Sequence, residues 1–210
     1  MPSISYAITA CNEHVELERL LNQLDSSIRD EDEIIVQLDV TATEEVKEVC
    51  YKFPAFSLWE FPLNKDFATF KNNLSKHCTR EFVFQIDADE FISPELIVNL
   101  EDILDSNVDK DLILVPRINI VNGITNEHIQ KWRWQVNEKG WINFPDVQGR
   151  LYQNKQSIFW SGKVHEALQG FESYSIFPQE EVYCIKHIKE IERQERQKRQ
   201  GRFAGAVKTL

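Results

Sequence analysis

Through roughly the first ninety positions, apolar residues come in short bursts, each ending on polar ones. Ile4 to Thr9, "ISYAIT", is β-prone and reads as a first buried strand, broken by "ACNEH". From Glu13, Val15, Leu17, Leu20, Leu21 and Leu24 fall near helical spacing. Ile34 to Leu38 is a second apolar strand ending at Asp39, and "TATEEVKEVCYKF" reads as a second helix with Thr43 as its N-cap. "FSLWEFPL" is a third strand. "KDFATFKNNLSKHC" sets Phe67, Phe70, Leu74 and Cys78 at spacings of three and four, the mark of a third helix. "EFVFQID" is the fourth strand.

This alternation predicts an α/β fold: a mostly parallel, Rossmann-like sheet with helices on both faces. Ligands of such sheets bind outside the carboxyl ends of the strands. The polar residues after each strand therefore belong on one rim: Asn12 and Glu13, Asp39, Asn64 to Asp66, and Asp87 to Glu90.

After Asp89 the pattern changes. "SPELIVNLEDIL" predicts a helix capped by Ser93 with Pro94 at its first position. "DLILVPRINIVNG" is a strand running into a turn. Residues 126 to 148 are rich in tryptophan and show poor periodicity. "RLYQNKQSIFWSGKVHEAL" reads as two short strands with a turn, ending at His165 and Glu166, and "VYCIKHI" reads as a late strand. No repeat or linker divides the chain. Residues 1–190 read as one domain and 191–210 as a charged, helix-prone tail. That tail reads as a solvated helix, with an approach to an anionic acceptor or membrane surface as the other reading.

Composition narrows the function classes. The 210 residues are 42% hydrophobic and 28% charged, an ordinary globular balance, with net charge −10. That charge argues against a protein that coats nucleic acid, which needs a basic face. An acidic chain that handles phosphates is expected to recruit a divalent metal. The four cysteines show no CxxC pair, which fits neither zinc spacing nor a secreted disulfide framework, and a reducing cytoplasm is the simplest reading. The N-terminus lacks the marks of a signal peptide, and no apolar run is long enough to span a bilayer.

The sharpest local feature is "FVFQIDADEFIS", an apolar strand driven straight into Asp87, Asp89 and Glu90. Residues i and i+2 of an extended segment point the same way, so Asp87 and Asp89 can face one ligand. A solvated acidic strand end is the competing reading. Glu90 points oppositely, either capping the next segment or approaching an acceptor. Asn12, Glu13 and Asp39 suit the nucleoside end of a ligand, though a turn or helix cap explains each almost as well. Asp66 can cap the third helix. Trp132, Trp134, Trp141 and Trp160 suit a sugar-stacking acceptor platform or, equally, a core.

Three stretches carry a family likeness: "ISYAITACNE", "LNKDFATFKNNLSKHCTREFVFQIDADEFIS" and "GRLYQNKQSIFWSGKVHEAL". Together, over roughly residues 3 to 190, they resemble family 2 glycosyltransferases of the GT-A fold. The likeness is greatest to the soluble branch with an Asp-x-Asp-Glu motif and a late Trp-x-Gly-x-Val-His-Glu motif. The resemblance implies a nucleotide-sugar donor such as a UDP-sugar, a divalent metal (Mn²⁺ or Mg²⁺), and inversion at the anomeric carbon. The acceptor stays open: a glycan, a lipid-linked sugar, a protein or a modified base. The sequence departs from many relatives in two places. Asp39 stands alone where they carry two aspartates, and the usual glutamate–aspartate base pair is missing, with His165 and Glu166 as its nearest equivalent.

The same resemblance assigns roles. Asp87 reaches the ribose or, through water, the metal, and Asp89 binds the metal. Lys71 and Asn72 match an Arg-Asn pair, so Lys71 is expected to meet the diphosphate or a rim aspartate, against the alternative of a solvated helical lysine. An inverting transferase needs a base for the acceptor hydroxyl; Glu166 is assigned that role, with Asp146 the runner-up. His165 or His187 completes the metal shell with a neutral imidazole nitrogen. Two other readings remain. A nucleotidyltransferase would want a glycine-rich basic loop after the first strand, which "ACNEH" is not. A silent nucleotide- or metal-binding module would bind a donor without turning it over.

Overall fold

A computed structural model of the chain describes residues 2–199. The first half follows the predicted alternation. β1 (Ile4–Ala10), α1 (His14–Asp25), β2 (Glu33–Asp39), α2 (Glu44–Tyr51), β3 (Ser57–Phe61), α3 (Phe67–Ser75) and β4 (Phe82–Asp87) succeed one another. β1 lies between β2 and β4, parallel to both, and β3 runs parallel outside β2. Helices cover both faces of β1, so nearly every residue of it is buried. Tyr6 and Ile8 pack into one core with Leu17, Leu20, Leu21 and Val46, while Ala7 packs into a second with Ala68 and Leu74 of α3. Buried Gln37 ties α3 down by donating to the Phe70 carbonyl at 2.7 Å. Thr43 stands at the N-cap of α2, but its side chain makes no capping hydrogen bond.

The second half comprises β5 (Glu90–Phe91), α4 (Pro94–Ser106), β6 (Leu112–Asn122), α5 (Asn126–Trp132), β7 (Ile142–Gln153), β8 (Phe159–Ser161), β9 (Ala167–Gln169), β10 (Tyr174–Ile176), β11 (Ile185–Glu190) and α6 (Ile191–Arg199). Ser93 caps α4 by accepting from the Leu96 N–H at 3.0 Å. The stretch of poor periodicity resolves into α5 and a 12-residue strand, β7, running antiparallel between β4 and β6. Because β7 is antiparallel to both neighbours, β6 runs parallel to β4. β11 pairs parallel with β6 and antiparallel with the short β5. The carboxyl ends of β1, β2, β4, β6 and β11 thus share one rim. β8 and β9 form a separate hairpin beside α3.

Ile191–Arg199 is helical, as the charge pattern predicts, but it is not a purely solvated helix: Gln194 is buried and Arg193 reaches the rim carboxylates. Residues 200–210 of the tail lie outside the described residues. No helix among the described residues is long and apolar enough to cross a membrane.

Candidate active site

The rim collects carboxylates from several strand ends and answers them with the protein's own cations. Asp87, the last residue of β4, accepts from Arg150 of β7 at 3.0 Å and lies 3.7 Å from Lys71 of α3. Burial alone would push its carboxyl up, but Arg150 and Lys71 outweigh that and hold it well below the ordinary range. Thr9 of β1 adds a longer bond at 3.3 Å. Asp89 lies 3.2 Å from His187 Nε2, 3.3 Å from Arg193 and 3.7 Å from Lys189. Burial again opposes ionisation, and the cationic side chains around it, Lys189 among them, outweigh burial, so the carboxyl sits far below its usual value.

Glu90 neither caps α4 nor approaches open space. It is 1% exposed. One oxygen accepts from the Asp87 N–H at 3.0 Å, and the other takes Arg117 of β6 at 2.9 Å and Arg150 at 2.8 Å. An acid this deeply buried persists only when paired and hydrogen-bonded. Its role here is to hold the Asp87–Glu90 turn against the two arginines.

Asp146 is spoken for as well. Arg117 donates to its Oδ2 twice, at 3.0 and 2.8 Å, Asn119 donates to the same oxygen at 2.8 Å, and Gln148 donates to Oδ1 at 2.9 Å. Burial raises its carboxyl less than Arg117 and these donors lower it, leaving it below the ordinary value. Glu166 is freer: its bond is to Lys71, at 2.7 Å. Lys71 is 5% exposed, so it is not the solvated lysine of the alternative reading; it bridges Glu166 and Asp87 over the face of Trp160, 4.6 Å away.

The β8–β9 connection delivers Glu166. Gly162 adopts φ +100° and His165 φ +60°, two left-handed residues in the connection between β8 and β9. Lys163 accepts from the Phe67 N–H at 3.0 Å, and Asn72 exchanges two hydrogen bonds with the Trp160 backbone, at 2.8 and 2.7 Å. These lock the hairpin to α3 and set Glu166 beside Lys71. His165 is turned outward, exposed, with no ion pair to Asp87 or Asp89; His187 is the histidine beside the Asp-x-Asp pair.

The residues expected at the nucleoside end are on the rim and locally tied. Asp39 accepts from the Leu63 N–H and the Thr41 hydroxyl, and Glu13 from the Cys11 and Asn12 N–H groups; Asn12 itself is exposed. Asp66 caps α3 through the Thr69 N–H at 3.0 Å. Asp66→Ala should therefore cost about 1 kcal/mol in thermal unfolding, and Asp66→Ser should restore most of it. If Asp66→Ser recovers stability but not affinity for UDP, the carboxylate meets the donor in addition to capping.

Sequence reasoning missed Arg117, Asn119, Arg150, Lys189 and Arg193. Four of them sit on strand positions two apart from one another or from a named residue: Arg117 and Asn119, Gln148 and Arg150, His187 and Lys189. Period two would have found them once β7 was extended back to Ile142.

His187 tests the site for a metal. Asn119 must turn its Nδ2 to the Asp146 carboxylate, so its Oδ1 faces His187 Nδ1, 3.0 Å away. Nδ1 is therefore the protonated nitrogen. Burial, more than the Asp89 charge opposes it, pushes the imidazole below its ordinary value and keeps it neutral. Nε2 lies 3.2 Å from Asp89 Oδ2 and makes no hydrogen bond. A free imidazole nitrogen beside a carboxylate suits a cation that both could ligate. Among the described residues no three His, Cys, Asp or Glu side chains converge into a closed cage. The pair is an open edge, fitting a cation whose other ligands arrive with a substrate.

A parallel α/β half ending in paired aspartates, joined to a half threaded by an antiparallel strand, defines a GT-A type of fold. The chain belongs to glycosyl transferase family 2, whose model matches residues 5–174. Among solved structures, S. aureus TarS 1–349 superposes with TM-score 0.64 at 15% identity, over 90% of this chain and 60% of TarS. The same protein in complex with UDP-GlcNAc gives 0.62 at 16%, over 90% and 59%. Glucosyl-3-phosphoglycerate synthase from Mycobacterium tuberculosis, in complex with Mn²⁺, UDP and phosphoglyceric acid, gives 0.55 at 12%, over 90% and 69%. The chain thus spans about 60% of the length of that TarS chain. No curated protein matches it.

Proposed function

We propose that the chain transfers a sugar from a nucleoside-diphosphate sugar, with UDP as the nucleotide, to an acceptor hydroxyl, with inversion and with a divalent metal. The family membership and the complexes of TarS with UDP-GlcNAc and of the mycobacterial synthase with Mn²⁺ and UDP support this reading. The observation that carries it is the Asp89–His187 edge at the carboxyl end of the sheet. There an imidazole nitrogen without a hydrogen bond lies 3.2 Å from a carboxylate oxygen, beside Asp87.

Asp89 and His187 would hold the metal, which when bound supplies Lewis-acid neutralisation of the departing diphosphate. Asp87 stays fixed by Arg150 and Lys71 and orients the donor from the other side. Asn12, Glu13 and Asp39 lie toward the nucleoside. Glu166, next to Asp87 across Lys71, accepts the acceptor's proton.

A ligand that binds only the folded chain stabilises it, by about 2.7 kcal/mol at a hundredfold excess over Kd. UDP with Mn²⁺ should raise the melting temperature by several degrees, and UDP with EDTA much less. Asp89→Asn should erase the metal-dependent part. Equal stabilisation by UDP with and without metal would sink the metal assignment, and no stabilisation by any nucleotide would sink the donor.

A further inference from the structure

Beside the Asp89–His187 edge lies a cavity of about 120 Å³. Asn119 of β6 and His187 and Lys189 of β11 reach it from the sheet. Trp134, Asn143 and Gln194 reach it from the α5–β7 connection, the start of β7 and α6. We propose that this cavity is the acceptor subsite and that it takes a single pyranose ring, so that the acceptor is a saccharide. The inference rests on the transferase reading above and adds the acceptor class to it.

The cavity is built rather than incidental. α5 ends with Arg133 in the left-handed region at φ +55°, which turns the chain and sets Trp134 against Trp132, ring centres 4.6 Å apart. β7 begins with Asn143 at φ +52°, also left-handed. Its Oδ1 accepts from the Gln135 N–H at 2.9 Å, and its own N–H donates to the Gln135 carbonyl at 2.7 Å. Two non-glycine residues in a costly conformation flank Trp134 on either side, and strain of this kind collects where a side chain must be held for a ligand. Trp134 stays only half-buried after this effort.

The polar groups point the same way. Gln194 is 9% exposed and lines the cavity with its amide-bearing side chain. Asn143 keeps its Nδ2 after spending Oδ1 on Gln135. An indole lining the cavity beside the Asn143 and Gln194 amides matches a pyranose, with its apolar C–H face and its ring of hydroxyls.

Other acceptor classes fit less well. Asn119 and His187 are paired with strands on both sides, so no free strand edge at this point would hold an extended peptide. Lys189, the cation of the cavity, is already within 3.7 Å of Asp89. Position also favours the acceptor over the nucleoside. The cavity adjoins Asp89 on the β6–β11 side, whereas Asn12, Glu13 and Asp39 lie toward β1 and β2.

The test uses the full chain with UDP and Mn²⁺ and reads saturation-transfer NMR to methyl β-glucopyranoside, methyl β-galactopyranoside and methyl α-mannopyranoside. N-acetylserine methylamide and cytidine serve as the other acceptor classes. At least one pyranoside should show transfer to its ring protons. Trp134→Ala should weaken its binding about tenfold, with Trp134→Phe restoring most of it. Gln194→Ala should also weaken it, and Gln194→Glu, which keeps the side chain's length, should separate the lost amide from any lost packing. UDP affinity should be the same in all variants. The inference is overturned if UDP binds but no pyranoside does, if only the serine or cytidine probe binds, or if Trp134→Ala and Gln194→Ala leave pyranoside binding intact. It is also overturned if they weaken UDP-glucose but not UDP, which would make the cavity a donor-sugar site. If UDP itself fails to bind the parent, the transferase reading falls and the acceptor subsite falls with it.

Discussion

Glu166→Gln is expected to lower turnover by about 10² to 10⁴ while leaving donor affinity nearly unchanged. Glu166 is the carboxylate beside Asp87 whose oxygens are not consumed by arginine. It pairs with Lys71 at 2.7 Å, and the hairpin that carries it is locked to α3 by Asn72. Glutamine keeps the shape and can still accept from Lys71, so the site should survive the change. What it cannot do is take a proton from an attacking hydroxyl. Asp146 offers the contrast. Arg117, Asn119 and Gln148 occupy both its oxygens, and the pairing holds its carboxyl below the ordinary value, which makes it a weaker proton acceptor. Asp146→Asn should act mainly on stability by leaving Arg117 half-compensated.

The measurement is UDP-sugar affinity and single-turnover rate for both variants, with melting temperatures alongside. A Glu166→Gln enzyme that turns over like the parent, beside an Asp146→Asn enzyme that is folded and dead, assigns the base to Asp146. If Glu166→Gln mainly weakens donor binding, its work is to position Lys71. If neither variant changes turnover, the reaction is not an inverting one of the kind proposed.

The first half of this fold was legible because its chemistry is local. Each strand up to Asp87 is an apolar run bounded by polar residues, and each helix repeats every three or four positions, so β1 to β4 fall within a residue or two of expectation. The same reading brings the Asp-x-Asp stretch to the rim, but only Asp87 ends the strand: Asp89 lies in the turn after it and meets His187 rather than the partners of Asp87. The second half hides its pattern. β7 passes across the rim, where one face meets the polar network; Asp146, Gln148 and Arg150 alternate with less polar neighbours and break the apolar signal that marks a buried strand. What could not be read at all is convergence. Arg117, Arg150 and Lys189 belong to three strands that lie far apart in sequence, and only the sheet order brings them to Asp87, Asp89 and Glu90. A strand can run into three acids because other strands bring the cations.

Arg150→Met tests that balance and should cost about 3–5 kcal/mol, the range for breaking a buried ion pair from one side. Arg150 is 3% exposed and bonds Asp87 at 3.0 Å and Glu90 at 2.8 Å. Methionine fills much of its volume, so the loss reports the charge more than a cavity. Glu90 would keep Arg117 at 2.9 Å, and Asp87 would keep only the longer contact to Lys71. The pH dependence identifies the cause. In the parent, Asp87 titrates well below the ordinary value of 3.8, since Arg150 and Lys71 overcome burial. A depressed carboxyl contributes stability that is complete above the unfolded value and is lost as pH falls through the folded one. The variant lacks much of that contribution, because burial is then less opposed. The stability gap between parent and variant should therefore be widest near neutral pH and begin to narrow as pH falls below about 3.8. Adding Glu90→Gln to Arg150→Met should recover part of the loss by removing a charge left short of partners. Chemical denaturation of the parent, the single variant and the double variant, each near pH 7 and near pH 3.5, measures all of this. A gap that is the same at both pH values would mean that Arg150 stabilises by packing alone and that the cations do not hold the acidic turn.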